Sequence, residues 1–208
     1  MKRWGILLAV LAWAGIGRAG LSPSAKADLQ AYCAKIAAAV ESHALQPRFF
    51  VDLSDGKSKA QRWREFKDQA SIDKACKHKS CYQTAWLYEQ NGALVLAAFT
   101  FAGVDGDWVN NVDYYFRPGG RIAKDHSELR RMGAMERKDK APQPFLVEVQ
   151  RTCYYAADGK AWGREEPQYF KVEESGKRLI AAPDFTDAYW PQYKRAKDLP
   201  MVKAWKKK

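Results

Sequence analysis

Between Tyr82 and Val172 the chain repeats one arrangement: aromatic and β-branched runs, each closed by a turn that carries glycine. The clearest of these turns is Gln90-Asn91-Gly92. Asparagine followed by glycine tolerates positive φ at both central positions of a tight hairpin, so residues 82–89 and 93–102 are predicted to fold back on each other. Gly103-Val104-Asp105-Gly106-Asp107, Pro118-Gly119-Gly120 and Ala157-Asp158-Gly159-Lys160 punctuate further strands over 108–117, 121–131, 145–155 and 161–172. A loop holding Pro142 and Pro144 precedes the strand at 145. The pattern predicts an antiparallel meander of about six strands, with Arg48 to Leu53 as a seventh and further pairing near Leu179 and Ile180.

Ahead of the meander, Leu29, Cys33, Ile36 and Val40 recur at helical spacing, which predicts a helix over about residues 25–44. Residues 58–75 are charged and carry Ala60, Trp63, Phe66 and Ala70 at similar spacing, so a second, surface helix is expected there. Helix first and meander afterwards implies an α+β domain in which the N-terminal helix covers the apolar face of the sheet and the other face is open. Alternation in Phe145, Val147 and Val149 against Glu148 and Gln150 supports a half-covered sheet. Residues 182–208 hold Pro183, Pro191 and Pro200 with little periodicity and are expected to wrap over the domain as an extended tail.

The first 27 residues have a different character. Lys2 and Arg3 precede an apolar run from Ile6 to Ile16, and Ala25-Lys26-Ala27 forms a small-residue exit. This is the pattern of a cleavable signal peptide, so residues 1–27 are set aside and 28–208 are taken as one domain. A competing exit lies at Gly17-Arg18-Ala19. The apolar run is too short to span a bilayer, and none follows it. A periplasmic or secreted location is expected. Cleavage after Ala27 removes four of the 35 basic residues and leaves 31 against 24 acidic ones, a net charge of +7 in place of +11.

In an oxidising compartment the four cysteines, Cys33, Cys76, Cys81 and Cys153, read as two disulfides with three connectivities. Cys76 and Cys81 flank a short polar loop that a local bridge can close, which leaves Cys33 with Cys153. The alternative is one bridge and two buried thiols. His78 lies inside that loop, but the spacing fits neither zinc fingers nor haem attachment, and oxidation would consume both thiolates. No metal and no cofactor are expected.

The stretch from Trp108-Val109-Asn110-Asn111 through Tyr114-Tyr115-Phe116-Arg117-Pro118-Gly119-Gly120 to Asp125-His126-Ser127-Glu128-Leu129-Arg130 resembles a group of exported bacterial proteins with no assigned activity. The resemblance implies a bacterial envelope setting and carries over no catalytic residue.

His126 is the candidate for chemistry, with Asp125 and Glu128 beside it and Asp113 on the hairpin partner strand. Alternation puts His126 and Glu128 on one face, Asp125 and Ser127 on the other. A histidine held by a carboxylate can serve as a general base, yet no glycine-flanked serine or other nucleophile accompanies it. Two function classes follow. One is an exported binding or interaction module whose open sheet face or edge recruits an envelope component, a peptide or a protein. The other is a hydrolase-like enzyme centred on His126, Glu128 and Asp113. The basic end Lys203-Ala204-Trp205-Lys206-Lys207-Lys208 suits weak contact with an anionic surface. Nucleic acid is not expected as a partner, because the mature charge is spread among many acids.

Overall fold

The computed structural model describes residues 22–54, 61–77, 81–137, 140–173, 175–181 and 193–202, without the side chains of 133–137, 140–144, 161 and 162. The predicted signal segment as far as residue 21, His78 and the basic end 203–208 lie outside the described residues.

Helix α1 (Pro23–Glu41) starts where local chemistry requires: Ser22 Oγ accepts a hydrogen bond from the Ala25 amide at 3.3 Å, and Pro23 occupies the first turn, where its missing N–H costs nothing. The predicted exit Ala25-Lys26-Ala27 therefore falls inside the helix. Lys26 is also anchored to the sheet, its Nζ lying 3.0 Å from Glu165 Oε1 and 5.1 Å over the Tyr154 ring.

The rest of the chain builds one antiparallel sheet of 10 strands. They are β1 (Pro47–Asp52), β2 (Trp63–Phe66), β3 (Gln83–Gln90), β4 (Ala93–Ala102), β5 (Trp108–Phe116), β6 (Ile122–Arg137), β7 (Lys140–Tyr155), β8 (Ala161–Arg164), β9 (Gln168–Glu173) and β10 (Gly176–Ile180). Their spatial order is β10-β9-β7-β6-β5-β4-β3-β1-β2, with β8 on the remaining edge of β7. The meander prediction holds in its centre, and the Asn91-Gly92 turn has both residues at positive φ.

The strand count exceeds the expected six to seven for identifiable reasons. Trp63 to Phe66, expected in a helix, pairs with β1 instead, and a second helix, α2 (Gln69–Cys76), begins only after Asp68 caps it. Trp63 meets Phe99 edge-on while Phe66 pairs with Phe49 on the opposite face, an alternation that a helix would not give. Pro142 and Pro144 lie within β7, not in a loop. Here β7 borders β6 alone, so prolines lacking N–H groups are tolerated. Pro167 divides the expected strand 161–172 into β8 and β9.

Both faces of the sheet are covered in part, which corrects the expectation of one open face. Leu29, Cys33 and Ile36 of α1 pack on Tyr88, Val95, Leu96, Tyr115, Ala123 and Tyr154. The larger core lies on the opposite face, around Phe50, Leu87, Phe99, Tyr114 and Phe116. The described part of the expected tail seals it. Tyr193 packs 5.6 Å from Phe99 and 5.3 Å from Tyr114, a turn of 3-10 helix spans Ala196–Asp198, and Met201 is wholly buried.

Cys76 and Cys81 form a disulfide, as expected. Cys33 and Cys153 do not: both are free thiols. Cys153 projects from β7 into the larger core, while Cys33 projects from α1 onto the other face, so the sheet itself separates them.

Candidate functional site

The sheet register determines what surrounds His126. β5 sets Asp113 opposite it and β7 sets Thr152 on its other side. His126 Nδ1 lies 3.0 Å from Thr152 Oγ1, and Nε2 lies 3.6 Å from Glu128 Oε1. The three residues named from the sequence, His126, Glu128 and Asp113, thus share the face that carries α1. Asp125 and Ser127 project into the opposite core and are buried. Burial raises the Asp113 carboxyl above its ordinary value, and the neighbouring His126 and Lys124 pull it back. Glu128 moves the other way, lowered chiefly by its contact with His126.

Thr152 escaped the sequence reading. Its contact depends on the β6–β7 register, which could not be counted while residues 132–144 were taken as a loop. With it, a hydroxyl within hydrogen-bond reach of the imidazole and a carboxylate just beyond that reach flank the ring on its two nitrogens. Two features oppose acyl transfer there. Thr152 is only 9% exposed, and β5 and β6 each have paired neighbours on both sides at this level, so their amides serve the ladder and not an oxyanion.

Three successive rows of side chains cross this face. The first, Tyr88, Leu96, Tyr115, Lys124 and Tyr154, lies under α1. The second crosses seven strands as Phe66, Phe49, Trp86, Ala98, Asp113, His126 and Thr152. The third is polar for most of its length: Thr84, Thr100, Asn111, Glu128, Gln150 and Gln168. The second row is therefore aromatic at one end and ionisable at the other. Phe49 and Trp86 meet edge-on at 5.5 Å, and Trp86 keeps 39% of its surface exposed. Ala98 between the two halves leaves the row shallow.

Next to the third row, Glu148 is fully buried yet remains charged. Burial pushes its carboxyl up, but hydrogen bonds from Lys177, Gln150 and Arg130 outweigh that and leave it lowered. The cluster is closed on itself and offers no free ligating group; among the described residues no group of three or more metal-binding side chains occurs.

Two concave places among the described residues lie elsewhere. One cavity of about 660 Å³ is walled by Tyr82, Phe101, Trp108 and Tyr193, with Asp105 and Asp107 at the β4–β5 turn. Another, of about 540 Å³, lies where the turns before β4 and β6 meet residues 195–202. His126 lines neither. No family model, curated protein or solved structure matches the chain.

Proposed function

We propose that the protein is an exported binding module, stapled by Cys76–Cys81, whose ligand lies across the open part of the helix-bearing sheet face. The observation that carries this reading is the second row, which joins Phe66, Phe49 and Trp86 to Asp113 and His126 across the sheet, outside both of the cavities of about 660 and 540 Å³. Flat surfaces of mixed aromatic and charged character suit macromolecular segments, whereas small substrates need concavity. The ligand chemistry is a peptide or protein segment that lays an apolar group on Trp86 and a cation on Asp113 and Glu128. A disulfide supports an oxidising compartment, periplasmic or secreted. No helix among the described residues is long and apolar enough to cross a membrane.

A second reading, a hydrolase with Thr152 as nucleophile, His126 as base and Glu128 as its orienting carboxylate, rests on the two contacts of the imidazole. One set of variants separates the readings. A binding module shows no turnover of ester, amide or glycoside substrates, and Trp86→Ala and Asp113→Asn weaken capture of cationic-aromatic peptides while the fold persists. Turnover in the wild type that vanishes in both His126→Ala and Thr152→Ala, with melting temperatures unchanged, would replace the binding reading with the enzyme.

A further inference from the structure

Arg121 and Arg195 stand directly opposite one another in an isolated antiparallel bridge, and both line the cavity of about 540 Å³. The flanking hydrogen bonds run from the Ile122 amide to the Lys194 carbonyl at 3.0 Å and from the Ala196 amide to the Gly120 carbonyl at 2.8 Å. That pattern makes the two arginines a non-hydrogen-bonded pair, the closer of the two antiparallel geometries, with side chains on the same side. Like charges so placed repel and destabilise the pairing. Lys197 adds a third positive charge to the same wall.

Among the described residues this charge is compensated only at its margin. Arg121 Nη1 donates to the Asp158 backbone carbonyl at 2.7 Å, and the Asp158 carboxylate feels its charge but lies 3.6 Å from Lys160 Nζ. Arg195 and Lys197 are exposed and form no ion pair among the described residues. The cavity floor is small: Gly92, Ala93, Gly119, Gly120 and Ala196 leave room for a ligand to approach the backbone. A cavity with small walls lined by three cationic residues has the chemistry of an oxyanion site. Guanidinium groups match phosphate and carboxylate oxygens in paired hydrogen bonds, and three positive charges favour a dianion over a monoanion.

We propose that Arg121, Arg195 and Lys197 form a binding site for a phosphate group, free or esterified. The site is separate from the His126 face and stands whether or not that face binds a ligand. Calorimetric titration of the full exported chain at low salt, with inorganic phosphate, glycerol phosphate and vesicles containing phosphatidic acid as separate probes, tests it. Saturable binding is expected for at least one probe, with a loss of about tenfold or more in Arg195→Ala and in Lys197→Gln. Preference for inorganic phosphate identifies a free ligand, preference for glycerol phosphate a soluble ester, and capture by vesicles alone a lipid headgroup. Each of these supports the site. Both variants alter exposed side chains, and their melting temperatures verify that they are folded. Absence of binding for all three probes, or binding that Arg195→Ala and Lys197→Gln leave unchanged, overturns the proposal.

Discussion

The thiols of Cys33 and Cys153 face opposite sides of one sheet: Cys33 is clamped between α1 and the strands, and Cys153 sits in the larger core beneath. Each is held protonated by burial, with its pKa pushed up to about 11.

Peptide mapping of the oxidised protein without reductant should accordingly find one bridge, Cys76–Cys81, and two free thiols, of which the buried Cys33 alkylates only after unfolding. A Cys33–Cys153 peptide would contradict the fold. The raised thiol values also set an alkaline limit. Both thiols stay protonated in the folded chain after the unfolded chain has ionised near 9.0, so stability present below that pH is lost as pH rises to about 11. Melting temperature should fall across that window, and less steeply in Cys33→Ala.

Tyr155 and Asp125 form a second buried relationship, the phenol donating to Asp125 Oδ2 while Oδ1 has no hydrogen-bond partner among the described residues. Burial raises the Asp125 carboxyl, and the hydrogen bond from Tyr155 opposes that rise. Removing the donor with Tyr155→Phe should cost about 1–3 kcal/mol near neutral pH, the penalty of a buried group left unpaired. Because the raised carboxyl then protonates more readily, the deficit should shrink in acid. Denaturant melts of both proteins at neutral and acid pH measure this, and a deficit independent of pH would show that Asp125 is not the group affected.

Gly103 and Gly92 test two distinct reasons for glycine. A Cβ at Gly103 would stand 2.5 Å from Asp107 Oδ1 and 2.7 Å from Trp108 Nε1, whereas one at Gly92 meets nothing within 4 Å but sits at φ +74°. Gly92→Ala should cost about 1 kcal/mol of backbone strain. Gly103→Ala should cost about 1–3 kcal/mol and displace the Trp108 indole from its cavity wall. Thermal melts and the near-ultraviolet signal of the indole distinguish them; equal, small losses would mean that the 103–108 turn yields freely.

The N-cap of α1 gives a test of processing. A chain that starts at Asp28 lacks Ser22, Pro23 and the Lys26–Glu165 contact, while one that starts at Gly20 keeps all three. The shorter form should be the less stable, and Ser22→Ala in the longer form should by itself cost about 1 kcal/mol. Intact mass of the exported protein decides which start is used. Equal stability of the two forms would show that α1 docks without its first turn.

What could be read from residues alone was local. Glycine turns between apolar runs locate strand ends, because a tight turn needs positive φ within a few residues of the reversal. Alternation alone set His126 and Glu128 on one face and Ser127 on the other, but a count across Pro118-Gly119-Gly120 would place His126 opposite Val112; the irregularity between Tyr115 and Phe116 shifts the register and brings Asp113 opposite it. Leu29, Cys33 and Ile36 announced the buried stripe of α1 by spacing alone. Trp63 and Phe66 misled because their separation of three suits a helix as well as it suits opposite faces of a short strand, and the open edge of β1 decided between them.

Neither the pairing of Thr152 with His126 nor the row from Phe66 to Thr152 is written in any local stretch. Each depends on the lateral order and register of strands distant in sequence, where a shift of one residue would turn every side chain to the other face. The separation of Cys33 from Cys153 has the same origin. Alternation along β7 assigns Cys153 a face relative to its own strand, but only packing decides which face α1 covers. The larger apolar surface went to residues 193–202, and the helix took the other side.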